Sequence, residues 1–144
     1  MPERRVTYDT FSQGQQTGIE LQAPSLQRIF IDAALALSDW RIALDLVKEE
    51  SKETVALEAT GLQPLLHAWL NACAALHSKK GFLPYRIVFS QFDGKKLTAT
   101  LTGETYTAPR HGYPRPFTSV SADSLRLEEL GGTEGGYSLK FLLG

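Results

Sequence analysis

The sequence predicts an α/β (α+β) fold: a mixed β-sheet with two helices packed on one side. Two stretches repeat apolar residues at steps of three and four, the spacing that lines one face of a helix. Other short segments alternate apolar and polar residues, as half-buried strands do. Helices separate the strands early in the chain, whereas turn signals alone separate them after Tyr85, so a sheet covered by two helices satisfies both halves.

Each element has its own signal. Thr17 to Gln22 reads as a strand with Ile19 and Leu21 on one face, ended by Pro24. Ser25 is placed to cap a helix whose stripe runs Leu26, Ile29, Phe30, Ala33, Leu37, Trp40 and Leu44. Thr54 to Ala59 is a second strand. The next helix carries Leu62, Leu66, Trp69, Cys73 and Leu76, and Gly61 is its expected cap because Pro64 then falls where no backbone donor is needed. Asp93-Gly94 predicts a tight hairpin between Tyr85-Ile87-Phe89 and Leu97-Ala99-Leu101. Gly103 to Phe117 contains Pro109, Pro114 and Pro116 and is expected to be irregular. Val120 and Ala122 are out of parity with Leu125 and Leu127, and a bulge near Asp123-Ser124 would reconcile them. Tyr137, Leu139, Phe141 and Leu143 alternate as a closing strand. The heaviest core side chains are expected at Phe30, Trp40, Trp69 and Phe141.

With 144 residues, one domain spanning 1–144 is expected, since two domains would each have a meagre core. Apolar residues make up 42% of the chain and charged residues 22%, which offsets the entropy of ordering and excludes global disorder. Fifteen Lys plus Arg oppose sixteen Asp plus Glu, so no long-range field draws in a polyanion, and direct nucleic-acid binding is expected to be weak or absent. The single cysteine, Cys73, permits neither an intrachain disulfide nor a thiolate zinc cluster. No apolar run reaches the roughly 18 residues of a membrane span, and none follows the basic start as in a secretory signal. The expected compartment is the cytoplasm.

Searches for chemistry are largely negative. Gly131-Gly132-Thr133-Glu134-Gly135-Gly136 lacks the Gly-Lys-Ser/Thr ending of a phosphate loop and lies between strands. His67 and His77 have no acidic or cysteine partners at ligand spacing, and no nucleophile elbow or zinc-hydrolase pair is present. No catalytic residue, metal ligand or cofactor is therefore expected. The constellation Glu104, Tyr106, Arg110, His111, Tyr113 and Arg115 gathers guanidinium groups and rings in the proline-rich segment. It reads either as a surface for a protein or an RNA end, or as a structured crossover packed on the sheet.

Several of these stretches together resemble the archease family, the accessory proteins of the RNA-splicing ligase that joins tRNA halves. They are Thr17-Gly18-Ile19-Glu20, the helix from Leu26 to Leu37, Leu65-Leu66-His67-Ala68-Trp69-Leu70-Asn71, Gly103-Glu104, Arg110-His111 and Tyr137-Ser138-Leu139-Lys140-Phe141. The resemblance implies an archease-like fold and an accessory or activator role toward an RNA ligase or another RNA-processing enzyme, without catalysis of its own. Partner contact is assigned to Glu104, Tyr106, Arg110, His111 and Arg115. Alternatives are a metal-free protein-binding or scaffold module with another partner, and an enzyme using the Glu104-His111 loop. The resemblance also implies an Asp-His-Thr-Ala-Asp stretch where this chain has Ser12, Gln13, Gly14, Gln15 and Gln16, and an aspartate at about Leu143, the acidic residues serving calcium or another divalent ion, and a lysine where it has Thr118. The family's metal site is thus expected to be absent, unless Asp9, Glu20, Asp32 or Asp123 forms a relocated one.

Overall fold

The structure, a computed structural model, describes residues 6–113, 120–131 and 135–143. Strand β1 (Asp9–Gln13) turns into β2 (Gln16–Ala23), followed by helix α1 (Leu26–Arg41), β3 (Ser51–Glu58) and helix α2 (Leu62–Lys80). The chain continues through β4 (Phe82–Phe92), β5 (Lys96–Thr105), the one-turn helix α3 (Ala108–His111), β6 (Arg126–Glu129) and β7 (Tyr137–Leu142).

The expected α/β architecture holds, with both helices packed on one side. The one mixed sheet expected is corrected: the strands divide into two sheets, ordered β1-β2-β7-β6 and β3-β5-β4, and every pairing between these strands is antiparallel. Helix α1 packs against β2, β7 and β4 and so spans both sheets, while α2 lies on β3 and β4. Register puts the apolar positions together: Ile19 faces Phe141, Leu21 faces Leu139, and Ile87 faces Leu101. Those six side chains, with Phe30 and Trp69, join one hydrophobic cluster fed by both sheets and both helices.

The caps follow the sequence reading. Ser25 accepts the Arg28 N–H at 3.1 Å and Gly61 is the N-cap of α2. In the hairpin, Gly94 has φ +87° and the Asp93 carboxylate accepts the N–H groups of Lys95 and Lys96 at 3.0 and 2.8 Å. Trp69 is fully buried, its indole N–H donating to the Phe30 carbonyl at 2.9 Å and its ring meeting Phe89 edge-on. That bond gives the indole donor the partner its burial requires.

Other expectations are corrected. Strand β1 lies in a segment with no apolar alternation; it forms because Gly14, at φ +63°, turns the chain back onto β2. Helix α1 ends at Arg41, where the Asp39 carboxylate takes the Leu44 N–H at 2.9 Å and starts a separate 3-10 turn at Leu44–Leu46. Trp40 is only half-buried. In place of a bulge, a 3-10 turn at Ala122–Ser124 brings Val120 and Leu125 both into the core. The segment expected to be irregular from Gly103 remains in β5 to Thr105 and then forms α3, with Pro109 in its first turn, where a missing N–H costs nothing. Its remainder, 114–119, falls outside the described residues, as does the centre of the glycine-rich segment at 132–134.

Candidate functional site

Alternation along β5 sends Leu97, Ala99 and Leu101 toward the helices and gives Thr98, Thr100, Thr102 and Glu104 to the opposite face. That face is half-open along the threonines. At its end it is covered by a small apolar group of Ile42, Val47 and Leu83, with Tyr85 and Tyr106 against it. Gly103 makes the closure possible, because a Cβ there would run into the Leu83 carbonyl.

Glu104 is consequently a buried carboxylate, and its oxygens are taken by three residues from two segments. Oε1 accepts from Nε2 of His111 at 2.9 Å and from the backbone N–H of Lys48 at 3.1 Å, while Oε2 meets Nε of Arg110 at 2.8 Å. Burial by itself would raise this carboxyl's pKa. The bonds from His111, Arg110 and the Lys48 amide outweigh it and hold the group at about 2, so it is ionised throughout the physiological range. With Nε2–H given to the carboxylate, Nδ1 of His111 accepts the Thr107 N–H at 3.0 Å across one turn. Tyr106 stacks on the His111 ring, donates its hydroxyl to the Gly112 carbonyl at 2.6 Å, and meets His77 in a T-shaped contact.

The structure therefore brings Glu104, Tyr106, Arg110 and His111 together, in two different positions. Glu104 and His111 have side-chain exposures of 8% and 0%, so they fasten the loop from within. Arg110 is 38% exposed, spans from Glu104 to the Leu46 carbonyl at 3.5 Å, and presents its guanidinium outward. Tyr113 is 91% exposed and Leu46 is 44% exposed. Arg115 lies outside the described residues. Leu46 and the Lys48 amide escaped the sequence reading because neither carries a signal before the fold sets it beside Arg110 and Glu104.

The remaining histidines have structural partners. His67 donates from Nε2 to the Val120 carbonyl at 3.0 Å, and Asn71 holds the same residue from both sides, accepting its N–H at 2.9 Å and donating to its carbonyl at 3.2 Å. His77 accepts from the buried Arg41 through Nδ1. Burial and the neighbouring Arg41 charge lower the His77 pKa to about 4, and burial lowers that of Arg41 to about 10. Burial raises the Cys73 thiol to a level that leaves it protonated and inert.

The divalent-ion positions implied by the family resemblance converge in space without suitable donors. Gln13 and Gln16 close the β1–β2 hairpin, and Leu143 is buried beside it, its N–H donating to the Thr17 carbonyl at 2.9 Å. Asp9 and Glu20 are cross-strand partners, but the Lys140 ammonium sits 3.5 Å from Glu20. Asp32 is engaged by Arg28 at 3.0 Å on α1, and Asp123 shares an open cleft with Gln13 but also with the cations Arg126 and Lys140. Among the described residues no group of three or more His, Cys, Asp or Glu could hold a metal ion. A hard cation seeks about six to eight oxygens, several of them charged, and this donor set does not fit one.

The archease protein family model matches residues 8–143. A protein archease from Methanopyrus kandleri is 28% identical over 114 residues, covering 74% of this chain and 78% of its own. Another from Pyrobaculum calidifontis is 29% identical over 92 residues, covering 62% and 63% respectively. The solution structure of protein 1598 from Methanobacterium thermoautotrophicum superposes with a TM-score of 0.73 at 20% identity, over 94% of this chain and 96% of that one. The crystal structure of an archease from Thermotoga maritima gives a TM-score of 0.57 at 12% identity, over 99% and 98%. With nearly its whole length matched, the chain belongs to the archease family.

Proposed function

We propose that this protein is a cytoplasmic, non-enzymatic accessory that binds an RNA ligase or another RNA-processing enzyme through the face around Arg110. The supporting observation is the division of labour in the loop. A buried, ionised Glu104 fixes Arg110 and His111. Leu46, whose carbonyl the guanidinium meets, and Tyr113, three residues further along the chain, are both exposed. A fixed guanidinium with an exposed leucine beside it and an exposed tyrosine nearby in sequence has the residue types that anchor protein interfaces. The burial of Glu104 and His111 argues against the reading in which that pair performs acid-base catalysis on a substrate, since general catalysis requires contact with the reacting proton.

The second reading, a metal-free scaffold serving an unrelated partner, draws support from the neutral residues at positions 12–16 and at Leu143. Co-purification with tagged protein from the native cell separates the two. Recovery of an RNA ligase with the wild-type chain, and its loss with Arg110→Glu, supports the first. Recovery of a stable complex lacking any RNA-processing enzyme supports the second.

A further inference from the structure

The outer row of the four-stranded sheet places Asp9 opposite Glu20, Glu20 opposite Lys140, and Lys140 opposite Arg126. Two cations directly opposite across a pair of strands repel one another. Lys140 is partly compensated by Glu20 and stands 5.0 Å from the centre of the Phe11 ring. Arg126 is anchored differently: Nη1 donates to the carbonyls of Asp123 and Leu125 at 2.7 and 2.9 Å, and it forms no ion pair among the described residues. The guanidinium is thus held in place by backbone carbonyls.

An open cleft of about 420 Å³ lies at these two cations, with Gln13, Ser121 and Asp123 on its walls and Phe11 at its side. The Phe11 ring packs on its cross-strand partner Gly18, where any Cβ would occupy the ring's position. The volume falls within the range of small-ligand sites.

We propose that this cleft binds a phosphate monoester of a ribonucleotide, independently of any partner enzyme and without a bridging metal ion. Arg126 and Lys140 supply charge-assisted bonds to the phosphate oxygens, the setting in which such bonds are strongest. Gln13 and Ser121 offer neutral donors. The Asp123 carboxylate disfavours a bare anion and favours one that brings a hydroxyl donor, as a ribose does. A free nucleotide and a phosphorylated RNA end share this chemistry.

The test is a titration of the ¹⁵N-labelled full chain, in excess EDTA, with adenosine 5′-monophosphate, adenosine, and a short oligoribonucleotide with or without a 5′-phosphate. Adenosine 5′-monophosphate is expected to cause saturable shifts at the amides of residues 121–126 and 140, and adenosine none. Tighter binding of the phosphorylated oligoribonucleotide than of the mononucleotide assigns the ligand to an RNA end; weaker binding assigns it to a free nucleotide. Arg126→Gln and Lys140→Gln should each weaken binding by about tenfold, with Lys140→Arg restoring it. Lys140→Gln, at a half-exposed position, keeps the test available if Arg126→Gln fails to fold. No saturable shift up to about 10 mM nucleotide, equal binding of adenosine, or undiminished affinity in folded Lys140→Gln would overturn the proposal.

Discussion

Oε1 of Glu104 lies 2.9 Å from Nε2 of His111, seven residues further along the chain, and neither side chain is open to solvent. The carboxylate also takes an amide from Lys48, so one buried charge fastens the loop after β5 to the segment after α1. Its pKa is about 2 in the folded protein against an ordinary 4.5. A carboxyl lowered by folding contributes stability that is complete above the unfolded value and is lost as pH falls through the folded one. Glu104→Gln is therefore expected to cost about 2 kcal/mol at pH 7. The gap from wild type should shrink steadily as pH drops from 4.5 toward 2 in urea-denaturation series. A gap independent of pH would show that the charge of Glu104 contributes nothing.

His77 gives a second pH signature in a different window. Its ring is neutral when folded because burial and Arg41 disfavour the cation, lowering its pKa from 6.5 to about 4. Between those values the unfolded chain binds the extra proton, so stability is full above pH 6.5 and declines toward pH 4. His77→Gln should flatten that part of the stability profile, measured by thermal midpoint. A profile with the same slope in the variant would refute the assignment.

Trp69 anchors α2 to α1 and to β4 through its contacts with Phe30 and Phe89. Trp69→Ala is expected to cost about 3–5 kcal/mol, and Trp69→Phe less, since the smaller ring still fills part of the space. Urea midpoints that do not move in either variant would contradict the burial.

What the sequence disclosed, and what it withheld, follows from the range of the interactions. Ser25, Gly61 and Asp93-Gly94 act on neighbours within a few residues, and each sits where local rules place it. The stripes through Phe30 and Trp69 were legible for the same reason. Strand β1 was not, because Asp9–Gln13 is mostly exposed and its pairing is imposed by the turn at Gly14. At the site, Glu104, Tyr106, Arg110 and His111 were identifiable as a group. Their separation into buried fasteners and an exposed guanidinium depends on Val47 and Lys48, more than fifty residues distant in sequence. The turn at Ala122–Ser124 was misread as a bulge because both solutions restore the same parity of apolar residues.

Calcium is expected to leave the protein unchanged. Neutral amides at Gln13, Gln15 and Gln16, with an alkyl side chain at Leu143, cannot offset the cost of dehydrating a divalent ion. The thermal midpoint should be the same in excess EDTA and at about 1 mM free calcium. A calcium-dependent rise abolished by Glu20→Gln or Asp123→Asn would locate a relocated site and contradict the fit.

The most direct measurement of the central claim is the affinity of the purified chain for the RNA ligase of the same cell, by calorimetry, for wild type, Arg110→Glu and Tyr113→Ala. Wild type is expected to bind, and both variants to keep the wild-type thermal midpoint within about 1 °C while losing at least about tenfold in affinity. Undiminished binding by both folded variants, or no binding by wild type, would contradict the account.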